Sequence, residues 1–205
     1  MRTICLIAMV LLLAGPTAAA APDAVQMAQA EAWPDDRSIG SADAPVTMIE
    51  YASLTCPHCA SFHRETLPKL KAAYIDTGKV RLIYRDFPID ALAFRAAIFT
   101  RCVEPERYFG LLEVLYGGQD GWSRATDPMA ALRRIGRLAG IGPEKFDACM
   151  ADKKIGDGIL GTRLKASREH DVSTTPTFII NGRKITGAQP YEEFDKILRA
   201  LVPDS

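Results

Sequence analysis

The sequence predicts an α/β fold in which an all-helical insertion separates a βαβ unit from a ββα unit. A strand, a helix and a second strand are predicted in succession over residues 45–89. Residues 90–169 show helical patterns throughout, and residues 170–205 carry two strand patterns and a last helix. A chain of 205 residues is long enough to fold as one domain that carries such an insertion.

Residues 1–21 have the pattern of a cleavable secretory signal. Arg2 precedes an apolar run, residues 4–14, that is too short to cross a membrane and is followed by Gly15, Pro16 and several alanines. We therefore expect an exported, soluble chain in the periplasm; an uncleaved membrane anchor is the alternative. Cleavage would remove Cys5 and leave four cysteines, an even number that suggests two disulfides in an oxidising compartment.

The charge balance argues against one broad class of partner. The chain has 25 basic and 25 acidic residues, so its formal net charge is zero. Nucleic-acid binding depends strongly on an excess of positive charge, which neutralises the phosphates. We therefore expect no nucleic acid among the partners of this chain.

The first part of the chain alternates strand and helix. Residues 22–44 are polar and rich in Ala and Asp, which predicts a mostly extended lead-in. Val46–Ala52 is apolar and partly β-branched, as in a buried strand, and residues 79–85 have a similar pattern. The helix between them begins at Pro57 and should kink at Pro68. A strand, a helix and a strand in this order favour parallel pairing of the two strands.

Helix boundaries define the insertion. Pro105, Pro128 and Pro143 each suit the first position of a helix. Asp127 is a suitable cap for the helix that starts at Pro128, and Gly140 should end it. Apolar stripes mark two of these helices, formed by Tyr108, Leu111, Leu112 and Leu115 on one and by Leu132, Ile135 and Leu138 on the next.

A hairpin and a helix complete the predicted fold. Thr177–Ile180 and Arg183–Thr186 have strand patterns, and Asn181-Gly182 between them is the favoured two-residue hairpin turn. A final helix is predicted over residues 190–202. Its apolar face comprises Phe194, Ile197, Leu198 and Leu201.

The chemistry of the chain is predicted at Cys56-Pro57-His58-Cys59, where the first strand gives way to a helix. The first N–H groups of a helix have no partner within it, and the helix dipole is positive at this end. Both effects stabilise a thiolate at Cys56, and His58 adds to them if it is protonated or donates a hydrogen bond. Cys59 lies one turn further along, close enough to form a redox-active disulfide with Cys56.

Three other interpretations of these cysteines are open. A c-type haem site requires a histidine directly after the second cysteine, where this chain has Ala60. A zinc or copper site that uses Cys56, Cys59 and His58 would need further ligands at suitable spacing, so we expect no metal. The third interpretation is an inert structural disulfide.

Three segments of the sequence resemble the DsbA-like thiol-disulfide oxidoreductases. They are EYASLTCPHCASFH around the paired cysteines, VRLIYRDFP on the second strand and VSTTPTFIINGRKITG before the last helix. The similarity extends over residues 38–203 and implies a thioredoxin fold with a helical insertion. Residues 45–89 and 170–205 would form the thioredoxin-like domain, and residues 90–169 the insertion domain.

The resemblance also implies roles for individual residues. Cys56 would be the exposed nucleophile and Cys59 its buried partner. Thr175-Pro176 matches a cis-proline loop that faces the active site and holds the substrate backbone; an ordinary trans proline is the alternative. Glu50 matches a buried acidic position that helps to move protons at the buried thiol, although a solvated charge at a strand end would look the same.

The remaining pair of cysteines lies in the insertion. Cys102 and Cys149 would form a structural disulfide, which some members of the family share; two buried free thiols or a second redox pair are the alternatives. In the chain-entropy model, closing a loop of about 47 residues stabilises the fold by roughly 4 kcal/mol. His63, one turn after Cys59, is expected to be a surface or packing residue.

These features predict an exported oxidoreductase that donates its Cys56–Cys59 disulfide to reduced exported proteins. No dissociable cofactor is expected, because the disulfide is itself the redox group. The resemblance implies that a quinone-linked membrane protein, similar to DsbB, reoxidises the pair. The alternatives are a disulfide isomerase or reductase of the same fold, and a metal-binding export protein that uses Cys56, Cys59 and His58.

Overall fold

A five-stranded mixed sheet lies at the centre of the computed structural model, which describes residue 33 and residues 35–202. The predicted signal therefore lies outside the described residues, as do residues 22–32 of the lead-in. The strands are ordered β1-β3-β2-β4-β5, and only β2 and β3 are parallel. Their bounds are β1 Arg37–Ile39, β2 Val46–Ala52, β3 Val80–Asp86, β4 Thr177–Ile180 and β5 Arg183–Thr186.

Helices connect β3 to β4 and cover both faces of the sheet. The α-helices are α1 Pro57–Ser61, α2 Leu67–Leu70, α3 Ala91–Thr100, α4 Tyr108–Gly117, α5 Gln119–Ser123, α6 Pro128–Leu138, α7 Pro143–Met150, α8 Lys153–Glu169 and α9 Tyr191–Leu201. A 3₁₀ turn, Pro105–Arg107, precedes α4. None of the helices described here is both long and apolar enough to cross a membrane.

The predicted order of elements is confirmed, including the parallel pairing of β2 with β3. Asp127 caps α6 by accepting a hydrogen bond from the Ala130 N–H, and Gly140 follows the helix with φ of +74°. Asn181 and Gly182 both have positive φ, as a two-residue turn between twisted strands requires.

Four details differ from the sequence-based expectations. The lead-in contributes a short strand, β1, because Arg37–Ile39 pairs antiparallel with the side of β3 that faces away from β2. Two stretches of the predicted helix, Phe62–Thr66 and Lys71–Ile75, have the wider π-helical geometry, on either side of the α-helical turn that contains Pro68. Leu138 is 91% exposed. At 100° per residue it lies 120° around the helix from the buried Leu132, outside the apolar stripe. Leu201, the last residue of α9, is also exposed.

The two faces of the sheet pack against different helices. One face contacts the helical run after Pro57 and α9, through a cluster that includes Met48, Phe62, Phe178 and Phe194. The opposite face packs against α8 and the lead-in, with Trp33, Ile49, Tyr51 and Ala166 in its core. Glu50 alternates with Ile49 and Tyr51 along β2, so its side chain belongs to the face under the helical run.

A buried ion pair attaches the lead-in to the sheet. Arg85 on β3 is 2% exposed, and its guanidinium donates from two nitrogens to the two carboxylate oxygens of Asp36, both at 2.8 Å. It also donates to the Tyr51 hydroxyl and lies 3.6 Å from the centre of the Trp33 ring. Two parallel hydrogen bonds hold a carboxylate in one orientation, so this contact fixes the chain just before β1.

We expect Asp36→Asn to lower the free energy of unfolding by about 3 kcal/mol, because it removes the carboxylate that neutralises a buried guanidinium. Urea unfolding measures this change. Asp120→Asn is the matched control, since the Asp120–Arg124 pair is about three-quarters exposed on both sides. Its loss should cost about 0.5 kcal/mol or less. Equal effects of the two substitutions would contradict a stabilising role for the buried pair.

Candidate active site

Cys56 lies where the turn after β2 meets a helix. Its backbone is extended, with φ of −77° and ψ of 120°, and it occupies the position just before the first residue of α1, Pro57. Pro57 suits this position because the first N–H groups of a helix have no acceptor within it. Both Cys56 and Cys59 are free thiols in this structure, which therefore represents the reduced form.

The environment lowers the pKa of Cys56 to about 5. The largest cause is a hydrogen bond from the Cys59 thiol, and the side chain of Thr175 and the backbone N–H groups of Cys59 and His58 act in the same direction. Burial opposes them. The unsatisfied N–H groups at the helix start, from which the sequence predicted a stabilised thiolate, are therefore one of several contributions to the lowered pKa.

Cys59 has the opposite character. Its side chain is fully buried, and this burial raises the pKa of the thiol well above its ordinary range. The hydrogen bond to Cys56 and the negative charge of Glu50 raise it further. At neutral pH the pair therefore consists of a thiolate at Cys56 and a thiol at Cys59.

Cys56 is less accessible than expected for an exposed nucleophile. The residue is 5% exposed, and its sulfur lies 3.3 Å from the Thr175 carbonyl oxygen. The loop before β4 covers the thiol. The position of Cys56 in the sequence did not predict this contact. His58 is exposed at the surface and contributes to the Cys56 thiolate through its backbone N–H.

The peptide bond between Thr175 and Pro176 is cis. Pro176 is buried, and its carbonyl oxygen accepts a hydrogen bond from the Gly187 N–H at 2.8 Å. Because β4 is antiparallel to β2, the residues just before β4 lie beside the end of β2 that leads to Cys56. Two segments 119 residues apart in the chain thus form the two sides of the site.

Glu50 lies beneath the site and is paired with His63. The carboxylate is 0% exposed, so it is not a solvated charge at a strand end. Both of its oxygens lie 3.0 Å from Nε2 of His63, which is itself buried. Sequence analysis assigned His63 only a surface or packing position; its spacing of one turn from Cys59 was the available signal.

Gln119, on α5 of the insertion, is a second residue that sequence analysis missed. Its amide nitrogen donates to the carbonyl oxygens of Leu54 at 2.8 Å and Cys56 at 3.0 Å. These carbonyls belong to the turn that leads into Cys56 and α1. The insertion therefore holds the active-site turn directly, and no local pattern marks this glutamine.

Cys102, just after α3, and Cys149, on α7, are joined by a disulfide. Across the described part of the chain, no group of three or more His, Cys, Asp or Glu side chains is arranged to hold a metal ion.

The fold and the C-x-x-C dithiol define a protein of the thioredoxin class. A family model described as Thioredoxin matches residues 32–200. Alpha-DsbA1 of Wolbachia pipientis is 34% identical and superimposes with a TM-score of 0.77, covering 83% of this chain and 92% of that chain. The chain therefore belongs to the thioredoxin family and, within it, to the DsbA-like proteins, as the predicted fold class required.

Two further proteins resemble the chain, one in its fold and one in its sequence. DsbA of Chlamydia trachomatis has the same fold at 17% identity, with a TM-score of 0.72 over 83% of this chain and 93% of that chain. A Rickettsia bellii protein named "Putative protein-disulfide oxidoreductase" is 33% identical over 149 residues, or 72% of this chain. The chain spans 58% of the length of that relative.

We expect the reduced protein to lose stability as the pH falls from 7 to 5. The folded thiol of Cys56 has the lower pKa, so folding favours its thiolate. This stabilisation is complete above the unfolded pKa of roughly 8.5 and disappears as the pH falls through the folded pKa of about 5. The loss between pH 7 and pH 5 should be about 2 kcal/mol.

Urea unfolding of the reduced protein at several pH values, with Cys102–Cys149 kept oxidised, measures this loss. Reduced Cys56→Ala is the control, because it lacks the thiolate and retains every other titratable group. A parallel pH dependence of the two proteins would show that the Cys56 thiolate is not stabilised by folding.

Gln119→Leu should lower the free energy of unfolding by about 1–3 kcal/mol, because it removes the amide that satisfies two buried carbonyl oxygens. Gln189→Leu is the matched control. The Gln189 side chain also donates to a backbone carbonyl, that of Thr186, but at an exposed position. Thermal or urea unfolding of both variants measures the difference, and equal losses would mean that Gln119 does not hold the active-site turn.

Proposed function

We propose that this chain is an exported dithiol oxidase that transfers its Cys56–Cys59 disulfide to reduced exported proteins. The observation that carries the proposal is the opposite perturbation of the two thiols: the pKa of Cys56 is lowered to about 5, and that of Cys59 is raised. A thiolate exists only in the reduced form, so its stabilisation favours reduction of the enzyme and oxidation of the substrate.

The size of this effect supports an oxidase. At pH 7, a thiolate with a pKa of about 5 is stabilised by roughly two pKa units relative to an ordinary thiol, which is protonated at this pH. One unit corresponds to about 30 mV for a two-electron couple. The Cys56 environment therefore makes the disulfide roughly 60 mV more oxidising, and the low pKa also makes Cys56 a good leaving group.

The proposed reaction begins when a substrate thiolate attacks Sγ of Cys56 in the oxidised enzyme. The Cys56–Cys59 bond breaks, a mixed disulfide forms at Cys56, and Cys59 leaves as a thiolate that takes up a proton. A second substrate thiol then attacks the substrate sulfur, and Cys56 leaves as the stabilised thiolate. The substrate loses two electrons as its disulfide forms, and the enzyme gains them as its own disulfide is reduced.

Other residues have proposed roles in these steps. The Thr175-Pro176 loop, which already contacts the Cys56 sulfur, would hold the substrate backbone beside the mixed disulfide. Glu50 would exchange the proton of Cys59, since its charge acts on that thiol. Pro57 and His58 would shape the helix start. Cys102–Cys149 would be a structural disulfide, because it joins the segment after α3 to α7 across 47 residues of the insertion.

The setting of the enzyme follows from its chemistry. A dithiol oxidase works in an oxidising compartment, which agrees with the signal pattern of residues 1–21 and supports a periplasmic location. Each turnover leaves the enzyme reduced, so a second protein must reoxidise it. A quinone-linked membrane protein similar to DsbB would supply this step.

Oxidation of a reduced, unfolded substrate protein, followed by the return of its activity, tests the proposal. Cys56→Ser should abolish the reaction, because it removes the attacked sulfur. Given a substrate that already contains disulfides, Cys59→Ser should instead accumulate mixed disulfides, because its Cys56 thiolate attacks them and no second thiol in the site displaces the substrate. Wild-type activity of Cys56→Ser would contradict the mechanism.

The variant Cys102→Ala/Cys149→Ala is the control for both cysteine substitutions. It should lose stability while it retains oxidase activity.

Two further measurements separate the alternative functions. A substrate with scrambled disulfides tests for isomerase activity: faster rescue of this substrate than of the reduced one would favour an isomerase. The metal content of the purified protein tests the metal-binding alternative.

A further inference from the structure

The contact between Glu50 and His63 is buried. Nε2 of the imidazole lies 3.0 Å from both carboxylate oxygens, and both side chains are almost completely shielded from solvent. A buried carboxylate is strongly destabilising unless a hydrogen-bonding partner compensates its charge. His63 supplies such a partner from the helical run that begins at Cys56.

Aromatic side chains hold the imidazole in place. The Tyr116 ring stacks on it with centroids 4.0 Å apart and planes inclined by 24°, and Tyr84 contacts it edge-on. The two tyrosine hydroxyls are hydrogen-bonded to each other at 2.8 Å. The imidazole therefore has little freedom to leave the carboxylate.

The pair lies next to the buried thiol. His63 follows Cys59 by four residues, so one helical turn separates them on the same side of the run. The charge of Glu50 raises the pKa of Cys59, and the charge of Cys59 in turn raises that of Tyr116. Cys59 therefore shares one electrostatic environment with the histidine, the carboxylate and the stacked ring.

We propose that His63 is a positioning residue that keeps Glu50 competent to exchange a proton with Cys59, so that the two side chains act as one acid–base pair. The inference rests on the proposed function and deepens it, since only a dithiol that cycles between redox states needs such a pair. Histidine suits the role because its ordinary titration range lies near neutrality.

The proton and the electrons balance in both directions. When a substrate thiolate opens the disulfide, Cys59 leaves as a thiolate and takes a proton from the pair, which regains one from solvent. When the Cys56 thiolate attacks a disulfide oxidant, a mixed disulfide forms and one half of the oxidant leaves as a thiolate. The Cys59 thiol then gives its proton to the pair and attacks Sγ of Cys56 as a thiolate. The Cys56–Cys59 bond forms and the second half of the oxidant leaves as a thiolate, so that its two halves together carry away two electrons.

The titratable groups that face His63 come from four elements: Glu50 on β2, Tyr84 on β3, Cys59 on α1 and Tyr116 on α4. Burial raises the pKa of both tyrosines well above their ordinary range, so they remain protonated at physiological pH. Cys56, to which Cys59 is hydrogen-bonded, cannot accept the proton while its sulfur is in a mixed disulfide. Among the groups named here, Glu50 and His63 therefore remain to exchange a proton with Cys59.

The closing step of the active-site disulfide tests this inference. Reduced protein is mixed rapidly with excess oxidised glutathione between pH 5.5 and pH 8, quenched with acid and analysed by mass spectrometry. The rate at which the Cys56–glutathione mixed disulfide becomes the Cys56–Cys59 disulfide is measured. His63→Gln should slow this step at least ~10-fold at pH 6 and make it steeper with pH, because glutamine donates a hydrogen bond but cannot accept a proton.

Three comparisons separate this role from a purely structural one. Glu50→Gln should slow the same step, and the double variant should be no slower than Glu50→Gln alone, because the two residues act as a unit. Glu65→Gln, an exposed acid on the same helical run, should keep the wild-type profile. The pH midpoint of Cys56 alkylation should be unchanged in His63→Gln, which places the effect at Cys59.

A His63→Gln protein with the wild-type rate and pH profile would overturn the inference, as would a double variant whose loss equals the product of the two single losses. If the variants fold poorly, NMR titration of the His63 ring in oxidised and reduced wild-type protein replaces them. Its midpoint should differ between the two redox states, and identical midpoints would overturn the inference. A wild-type protein that never closes its disulfide would overturn the proposed function itself.

Discussion

The negative charge of the Cys56 thiolate is the feature on which the rest of the site depends. A sulfur just beyond the end of a strand retains this charge below neutral pH only if several hydrogen-bond donors surround it. Those donors come from the Cys59 thiol, from Thr175 and from backbone N–H groups at the start of α1. Each donor belongs to an element that the fold holds in place, so the sheet order and the position of the helix start are requirements of the chemistry.

The second thiol is controlled by the opposite means. Cys59 is surrounded by apolar side chains and by the negative charge of Glu50, and both conditions favour its protonated form. Glu50 can remain in this position because the helical run that carries Cys59 also carries His63 back over the sheet. The same run therefore positions both thiols and the partner of the acid beneath them.

Distant parts of the chain stabilise the site from two sides. The insertion reaches the active-site turn through Gln119, whose amide satisfies the carbonyls of Leu54 and Cys56. The lead-in is held to the opposite face of the sheet by Asp36, Arg85 and Trp33. The insertion and the lead-in therefore differ in what they contact: the insertion contacts the turn that carries Cys56, whereas the lead-in packs against the sheet.

The sequence by itself determined the features that depend on neighbouring residues. The apolar β2 strand, the Asn181-Gly182 turn, the Asp127 cap and the helix start at Pro57 were predictable because each follows from a local pattern. The β1 strand, the cover over Cys56, the Gln119 contacts and the Glu50–His63 pair were decided only by the tertiary structure. These features join segments that are 13 to 119 residues apart. Such contacts have no periodicity or spacing in the chain, because they arise only when packing brings two unrelated segments to the same place.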